Sequence, residues 1–65
     1  MSEELKEKRS NKRFTQSDMA KLLECSETYY SLLETGKMTP SVAMAKKIER
    51  LLGVEWTIFF KEKIN

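Results

Sequence analysis

Two glycines and one proline punctuate 65 residues. A chain with so few turn residues cannot make the many reversals that a sheet-rich fold of this size requires. Between the breaks, apolar residues recur at spacings of three and four, the period of an amphipathic helix. The expectation is an all-α fold of about five short helices.

The first is expected from Ser2 to Lys12, with Ser2 as N-cap and Glu3 and Glu4 at the positive helix end. Leu5 and the stem of Arg9 lie four apart on one face. Thr15 opens the second helix: its hydroxyl can accept from the amide of Asp18, whose charge complements the helix dipole. Met19, Ala20, Leu22 and Leu23 supply the apolar side. After Glu24-Cys25, Ser26 caps a third helix running to Glu34, with Tyr30 and Leu33 inward. Gly36 ends it, because a left-handed residue past a helix end carries no Cβ penalty there. Pro40, which has no amide to satisfy, suits a first helical turn or the position just before it. Val42, Ala45, Ile48, Leu51 and Leu52 then define a fourth helix ending at Gly53. A last short helix carries Trp56, Phe59 and Phe60, and the tail Lys61 to Asn65 is expected to fray.

The length allows one domain, residues 1–65, burying only about 60% of its unfolded surface. A hydrophobic share of 40% argues against disorder. A net charge of +2 is weak support for a nucleic-acid partner. Lys6, Lys8, Arg9, Lys12 and Arg13 do crowd the N-terminal segment against three acids, and Lys46, Lys47 and Arg50 form a second cluster. Either cluster taken alone reads equally well as a solvated helix face. The single Cys25 excludes an internal disulfide, and a chain without His has little means of building a zinc site or His-based catalysis. With neither a Gly-rich phosphate loop nor paired catalytic carboxylates, an enzyme is the poorest reading. No cofactor, metal or small-molecule ligand is expected. The longest strongly apolar stretch, Ile58-Phe59-Phe60, cannot span a bilayer, and the N-terminus has no apolar run, so a cytoplasmic protein is expected.

The stretch from Thr15 to Gly36 is the informative one. Two short capped helices joined by a brief turn cross steeply, and the small Ala20 lets them approach closely. Such a pair braces one helix while projecting it outward, in a shape that suits a major groove about 12 Å wide. Thr15-Gln16-Ser17-Asp18-Met19-Ala20-Lys21-Leu22-Leu23, then Cys25-Ser26, then Tyr30-Ser31-Leu32-Leu33-Glu34-Thr35-Gly36, resembles the Cro/repressor-type (XRE-like) helix-turn-helix family. The resemblance continues through Lys37-Met38-Thr39-Pro40-Ser41 to Leu51-Leu52-Gly53-Val54 and covers about residues 5 to 60.

That resemblance implies a lambda-repressor-like five-helix fold. It also implies sequence-specific binding of double-stranded DNA by a small bacterial or phage transcriptional regulator, a repressor, with residues 26–34 in the major groove. Gln16 then resembles the family's phosphate-contacting glutamine, with Thr15, Lys37, Met38, Thr39, Lys12 and Arg13 as further backbone contacts. Glu27, Thr28, Tyr29 and Leu32 occupy the base-reading positions and alternate with the inward Tyr30 and Leu33. Leu32 can pack on a thymine methyl, Thr28 can donate or accept, and Glu27 can accept from cytosine N4. Arg9 and Glu34 match an ion pair linking the first and third helices. Trp56, Ile58 and Phe59 are candidates for a two-fold interface, by which a homodimer would place two recognition helices about 34 Å apart on an inverted repeat.

Three residues depart from the pattern. Glu27 puts a carboxylate where phosphates repel it, and it equally suits the positive end of its own helix. Glu24 stands where the family often has Gly; in a left-handed conformation it loses on the order of 1 kcal/mol. Cys25 replaces a usually apolar turn residue and reads most simply as a small buried hydrophobe. The rival reading is a protein-interaction module that keeps this fold and has lost DNA. Low net charge, Glu27, Tyr29 and Leu32 favour that rival, whereas Gln16, Lys37 and the loop chemistry favour DNA.

Overall fold

A computed structural model describes the backbone of residues 2–61 and the side chains of residues 4–60. Five helices follow in order: α1 Ser2–Asn11, α2 Gln16–Leu23, α3 Glu27–Glu34, α4 Val42–Leu52 and α5 Ile58–Lys61, with no strand among the described residues. The capping role expected of Ser2 lies outside the described side chains; of the tail expected to fray, Lys61 is the last residue of α5 and the rest lies outside the described residues.

Hydroxyl caps start the three central helices. The Thr15 hydroxyl accepts from the Asp18 amide at 3.0 Å while the Asp18 carboxylate accepts from the Thr15 amide at 2.9 Å, a reciprocal capping box. These bonds hold the Asp18 carboxyl below its ordinary range. Ser26 accepts from the amide of Tyr29, and Ser41 from that of Met44. Pro40, buried, sits just before the Ser41 cap, where its missing amide leaves nothing unpaired.

Left-handed residues close the turns. Gly53 (φ 78°) ends α4, and Gly36 (φ 81°) follows α3. Glu24 (φ 58°) ends α2, and the Cys25 amide next to it reaches back to the Ala20 carbonyl at 2.9 Å. Arg13 (φ 63°) is also left-handed, closing the turn between α1 and α2, where the Phe14 amide donates to the Arg9 carbonyl. Two residues bearing a Cβ thus bracket α2 in a conformation that disfavours them by about 1 kcal/mol each.

Both α3 and α4 pack on α1 and α2. Leu5, Met19, Leu23, Tyr30, Leu33 and Ile48 fill the centre, and α5 closes the far end. Three placements differ from the sequence expectation. Leu22, expected inward, is 49% exposed, because Met19, Ala20 and Leu23 take the inner face and Leu22 is rotated away from it. Tyr29, expected outward, packs in part against the core. Ile58 and Phe59, candidates for an interface between two chains, are 9% and 2% exposed and belong to this chain's own core. The fifth helix begins only at Ile58, so its one turn carries both residues inward. Trp56 lies in the preceding turn, edge-on to Phe60 at 5.8 Å and beneath the Lys46 ammonium at 5.1 Å.

Replacing Glu24 with Gly is expected to raise stability by up to about 1 kcal/mol, read as a higher urea midpoint with an unchanged denaturant slope. A lowered midpoint would show that the Glu24 side chain contributes more than its backbone strain removes.

Candidate nucleic-acid interface

Glu34 ends α3 as a buried carboxylate, and four donors converge on it. Arg9 approaches in a fork, with Nε donating to Oε2 at 2.7 Å and Nη2 to Oε1 at 3.1 Å. The Tyr30 hydroxyl donates to Oε2 at 3.0 Å, and the Gln16 amide Nε2 to Oε1 at 2.9 Å. Each oxygen therefore accepts twice, which uses the roughly four acceptor sites of an ionised carboxylate. Arg9 adds a third bond from Nη1 to the Phe14 carbonyl at 2.9 Å. The cluster joins α1, the turn after it, α2 and α3.

Burial alone would raise the Glu34 carboxyl; the hydrogen bonds from Arg9, Gln16 and Tyr30 together outweigh it and hold the group below the ordinary carboxylate value. Its hydrogen bond to Glu34 raises Arg9, against the opposing effect of burial. Burial, reinforced by the neighbouring carboxylate, pushes the Tyr30 hydroxyl well above its usual range and keeps it a donor. Side-chain exposures of 13% for Arg9 and 5% for Glu34 make this a largely desolvated pair, stable only because its polar atoms are matched.

On the outer side of this cluster stands the first turn of α2. Gln16 has given one amide hydrogen to Glu34 and retains a second. The first-turn amides of Gln16 and Ser17 have no intrahelical acceptor and mark the positive end of the helix. Thr15 differs: its amide donates to Asp18 and its hydroxyl oxygen already accepts from the Asp18 amide, so its hydroxyl hydrogen is the donor it has left to offer.

Along α3, Glu27 and Thr28 are exposed, while Tyr29 and Leu32 are half-buried. Lys37, Met38 and Thr39 are exposed in the following loop, Met38 by 44%. The amides of Lys37 and Met38 both donate to the Leu32 carbonyl, at 3.0 and 3.2 Å, so this loop offers the Lys37 ammonium and the Thr39 amide in their place. Lys12 and Arg13 are exposed on the turn leading into α2. Cys25 is half-buried, and that burial raises its thiol. No cluster of metal-ligating side chains occurs among the described residues, and none of their helices is long and apolar enough to cross a membrane.

Sequence reasoning paired Arg9 with Glu34 but missed the parts of Gln16 and Tyr30. The Tyr30–Glu34 spacing of four, which places both on one helix face, was the available signal.

Arg9→Ala leaves a buried carboxylate without its counter-ion and is expected to lower stability by roughly 3 kcal/mol, near the lower end for such losses. Lys8→Ala, at an exposed position, is expected to change little. Equal melting temperatures for the two variants would contradict this account. Because Glu34 is depressed in the folded state, its contribution is present above its ordinary pKa of about 4.3 and is lost as pH falls through the folded value. Tyr30, raised in the folded state, contributes below about pH 10 and loses its part as pH climbs further. The melting temperature should therefore hold across neutral pH and fall on the acid limb, and Arg9→Ala should make that limb shallower.

A family model described as "Helix-turn-helix" matches residues 5–59. The Bacillus subtilis (strain 168) protein named "Uncharacterized HTH-type transcriptional regulator YqaF" is 44% identical over 61 residues, covering 94% of this chain and 80% of that protein. The "ImmF control region 10 kDa protein" of Bacillus phage phi105 is 35% identical over 61 residues, covering 94% of this chain and 68% of the phage protein. Among solved structures, none matches the chain. Two capped helices in contact, tied together at Glu34, and a match over nearly the whole length agree: this chain belongs to the Cro/repressor-type (XRE-like) helix-turn-helix family.

Proposed function

We propose that this protein is a sequence-specific, double-stranded DNA-binding transcriptional regulator that works as a repressor in the cytoplasm, with α3 in the major groove. The observation that carries the reading is the bond from Gln16 to Glu34. It ties a polar group at the positive end of α2 to the far end of α3, so a phosphate anchor and the reading helix move as one body. Phosphate contacts fix register and orientation, and base-edge contacts then specify the sequence.

In this reading the second amide hydrogen of Gln16, the Thr15 hydroxyl and the free first-turn amides meet one stretch of backbone. Lys37 and Thr39, with Met38 packed against the sugars, meet another, while Lys12 and Arg13 add longer-range attraction. Thr28 and the exposed edge of Tyr29 read bases, and Leu32 offers its open side to a thymine methyl. Glu27 lies in the first turn of α3, where its charge already complements the dipole. Two copies on an inverted repeat complete the operator complex, and Trp56 and Phe60, half-buried at the α5 end, are the apolar groups left for their contact. Support from relatives is in their names: a transcriptional regulator and a phage control-region protein.

Selection of duplexes from a random pool at low and near-physiological salt tests the reading. An inverted repeat with half-sites about 10 bp apart is the expected product. On that site, Gln16→Ala should weaken binding uniformly across sequences. Lys37→Ala should also reduce the salt slope by about 1, and Thr28→Ala should relax the preference at one base pair. Glu27→Gln should leave base preference unchanged. Retention without any enriched sequence would reduce the function to non-specific electrostatics, and no retention at either salt would remove DNA as the partner.

A further inference from the structure

The α2–α4 side of the molecule carries a groove whose lining residues are not among the DNA contacts proposed above. Leu22, Leu23 and Leu51 floor a hollow of about 230 Å³ between α2 and α4, and Lys47 and Arg50 of α4 form its rim. Leu22 is 49% exposed and also borders a second hollow on its other side, shared with Lys12, Arg13, Phe14, Asp18 and Lys21. No residue of α3 or of the loop after it lines either hollow.

Charge decides what kind of occupant fits. The α2–α4 groove is lined by two cations, Lys47 and Arg50, and no carboxylate; across Leu22 the second hollow adds Lys21, beside Asp18, and the Lys12 and Arg13 that the DNA reading uses. Asp18 is already bonded to the Thr15 amide, and Lys21 is the weakest of the influences on its carboxyl. The whole chain carries a net charge of only +2, so this concentration is local. Volume narrows the choice further. Small-molecule pockets run from about 300 to 1,000 Å³; the second hollow, at about 430 Å³, lies within that range, but the α2–α4 groove falls below it, and its leucine lining suits one inserted apolar side chain. Phosphate gains nothing from a leucine floor, whereas a helix with one apolar stripe and acidic flanks matches both the floor and the rim.

We propose that the α2–α4 groove docks an acidic amphipathic helix of a partner protein, with an apolar side chain seated on Leu22 and Leu51 and its carboxylates on Lys47, Arg50 and Lys21. Docking there leaves α3 free, so partner and DNA can be held together. The proposal stands apart from the DNA reading, because its test needs no DNA to succeed.

The probe is a synthetic peptide of about 14 residues, four turns of helix, with Leu at one face and Glu elsewhere. It is titrated into the isotopically labelled full chain and followed by amide chemical shifts. Shifts are expected to cluster at Leu22, Leu23, Lys47, Arg50 and Leu51, with affinity falling as salt rises. The double variant Lys47→Glu/Arg50→Glu, altered only at exposed positions, gives up the favourable place of Arg50 in the last turn of α4, but it should remain folded and lose about tenfold or more in affinity. Leu22→Asp should do the same. The same peptide with Lys in place of Glu should not bind. Shifts centred on α3, equal binding by the charge-reversed variant, or equal binding of the basic peptide would overturn the proposal. Two further results would assign the groove to a different occupant and so overturn it as well. One is a DNA duplex that shifts these same residues; the other is a dimer of the free protein that Lys47→Glu/Arg50→Glu dissolves.

Discussion

Four hydrogen bonds to one buried carboxylate hold the N-terminal half of this molecule in a single arrangement. Glu34 sits at the end of α3, and its partners come from α1, from the first turn of α2 and from one turn earlier in α3 itself. Hydrophobic packing brings these helices together, but packing tolerates small sliding and rotation, whereas a forked guanidinium-carboxylate contact does not. The apolar residues beneath the cluster supply most of the stabilisation, and the cluster selects one geometry among those that such a core would accept. In a chain of 65 residues there is little other material from which to build that selectivity.

The strain on either side of α2 belongs to the same logic. Arg13 and Glu24 both take a left-handed backbone, and both are needed for α2 to leave α1 and enter α3 over a few residues. The turn at Arg13 also places the Phe14 carbonyl where Arg9 can bond to it, which gives the guanidinium its third acceptor. One strained turn thus supports the ion pair that orients the outward helix.

How much was legible in the sequence varied from element to element. Thr15 and Ser26 were readable as caps because a hydroxyl before an apolar-periodic run has a local mechanism, and Gly36 and Gly53 as terminators because αL needs no Cβ. The Arg13 turn was not readable, since no Gly or Asn marks it. In α2, four apolar residues within five positions cover more than one face, and only the placement of α3 and α4 decides that Leu22 is left outside. In α5, three consecutive apolar residues carry no periodicity, so although most of this cluster is expected in the core, which of its members are buried and which are left at the surface is decided only by the tertiary structure. Gln16 was singled out for its position on α2, yet its bond to Glu34, 18 residues away, depends on how two helices cross.

The separation of inner and outer faces on α3 has an evolutionary consequence. Every residue of this helix that takes part in the Glu34 cluster points inward, while Glu27 and Thr28 face solvent with no side-chain hydrogen bond among those described. Substitutions at Thr28 can therefore accumulate without drawing on the narrow stability margin of a small domain, and those at Glu27 lose only its favourable place at the positive end of the helix. Tyr29 is the exception, because it is partly seated on the core and any replacement there must also satisfy packing. A lineage built on this scaffold can vary the outer face of α3 at Thr28 one substitution at a time, each intermediate remaining folded.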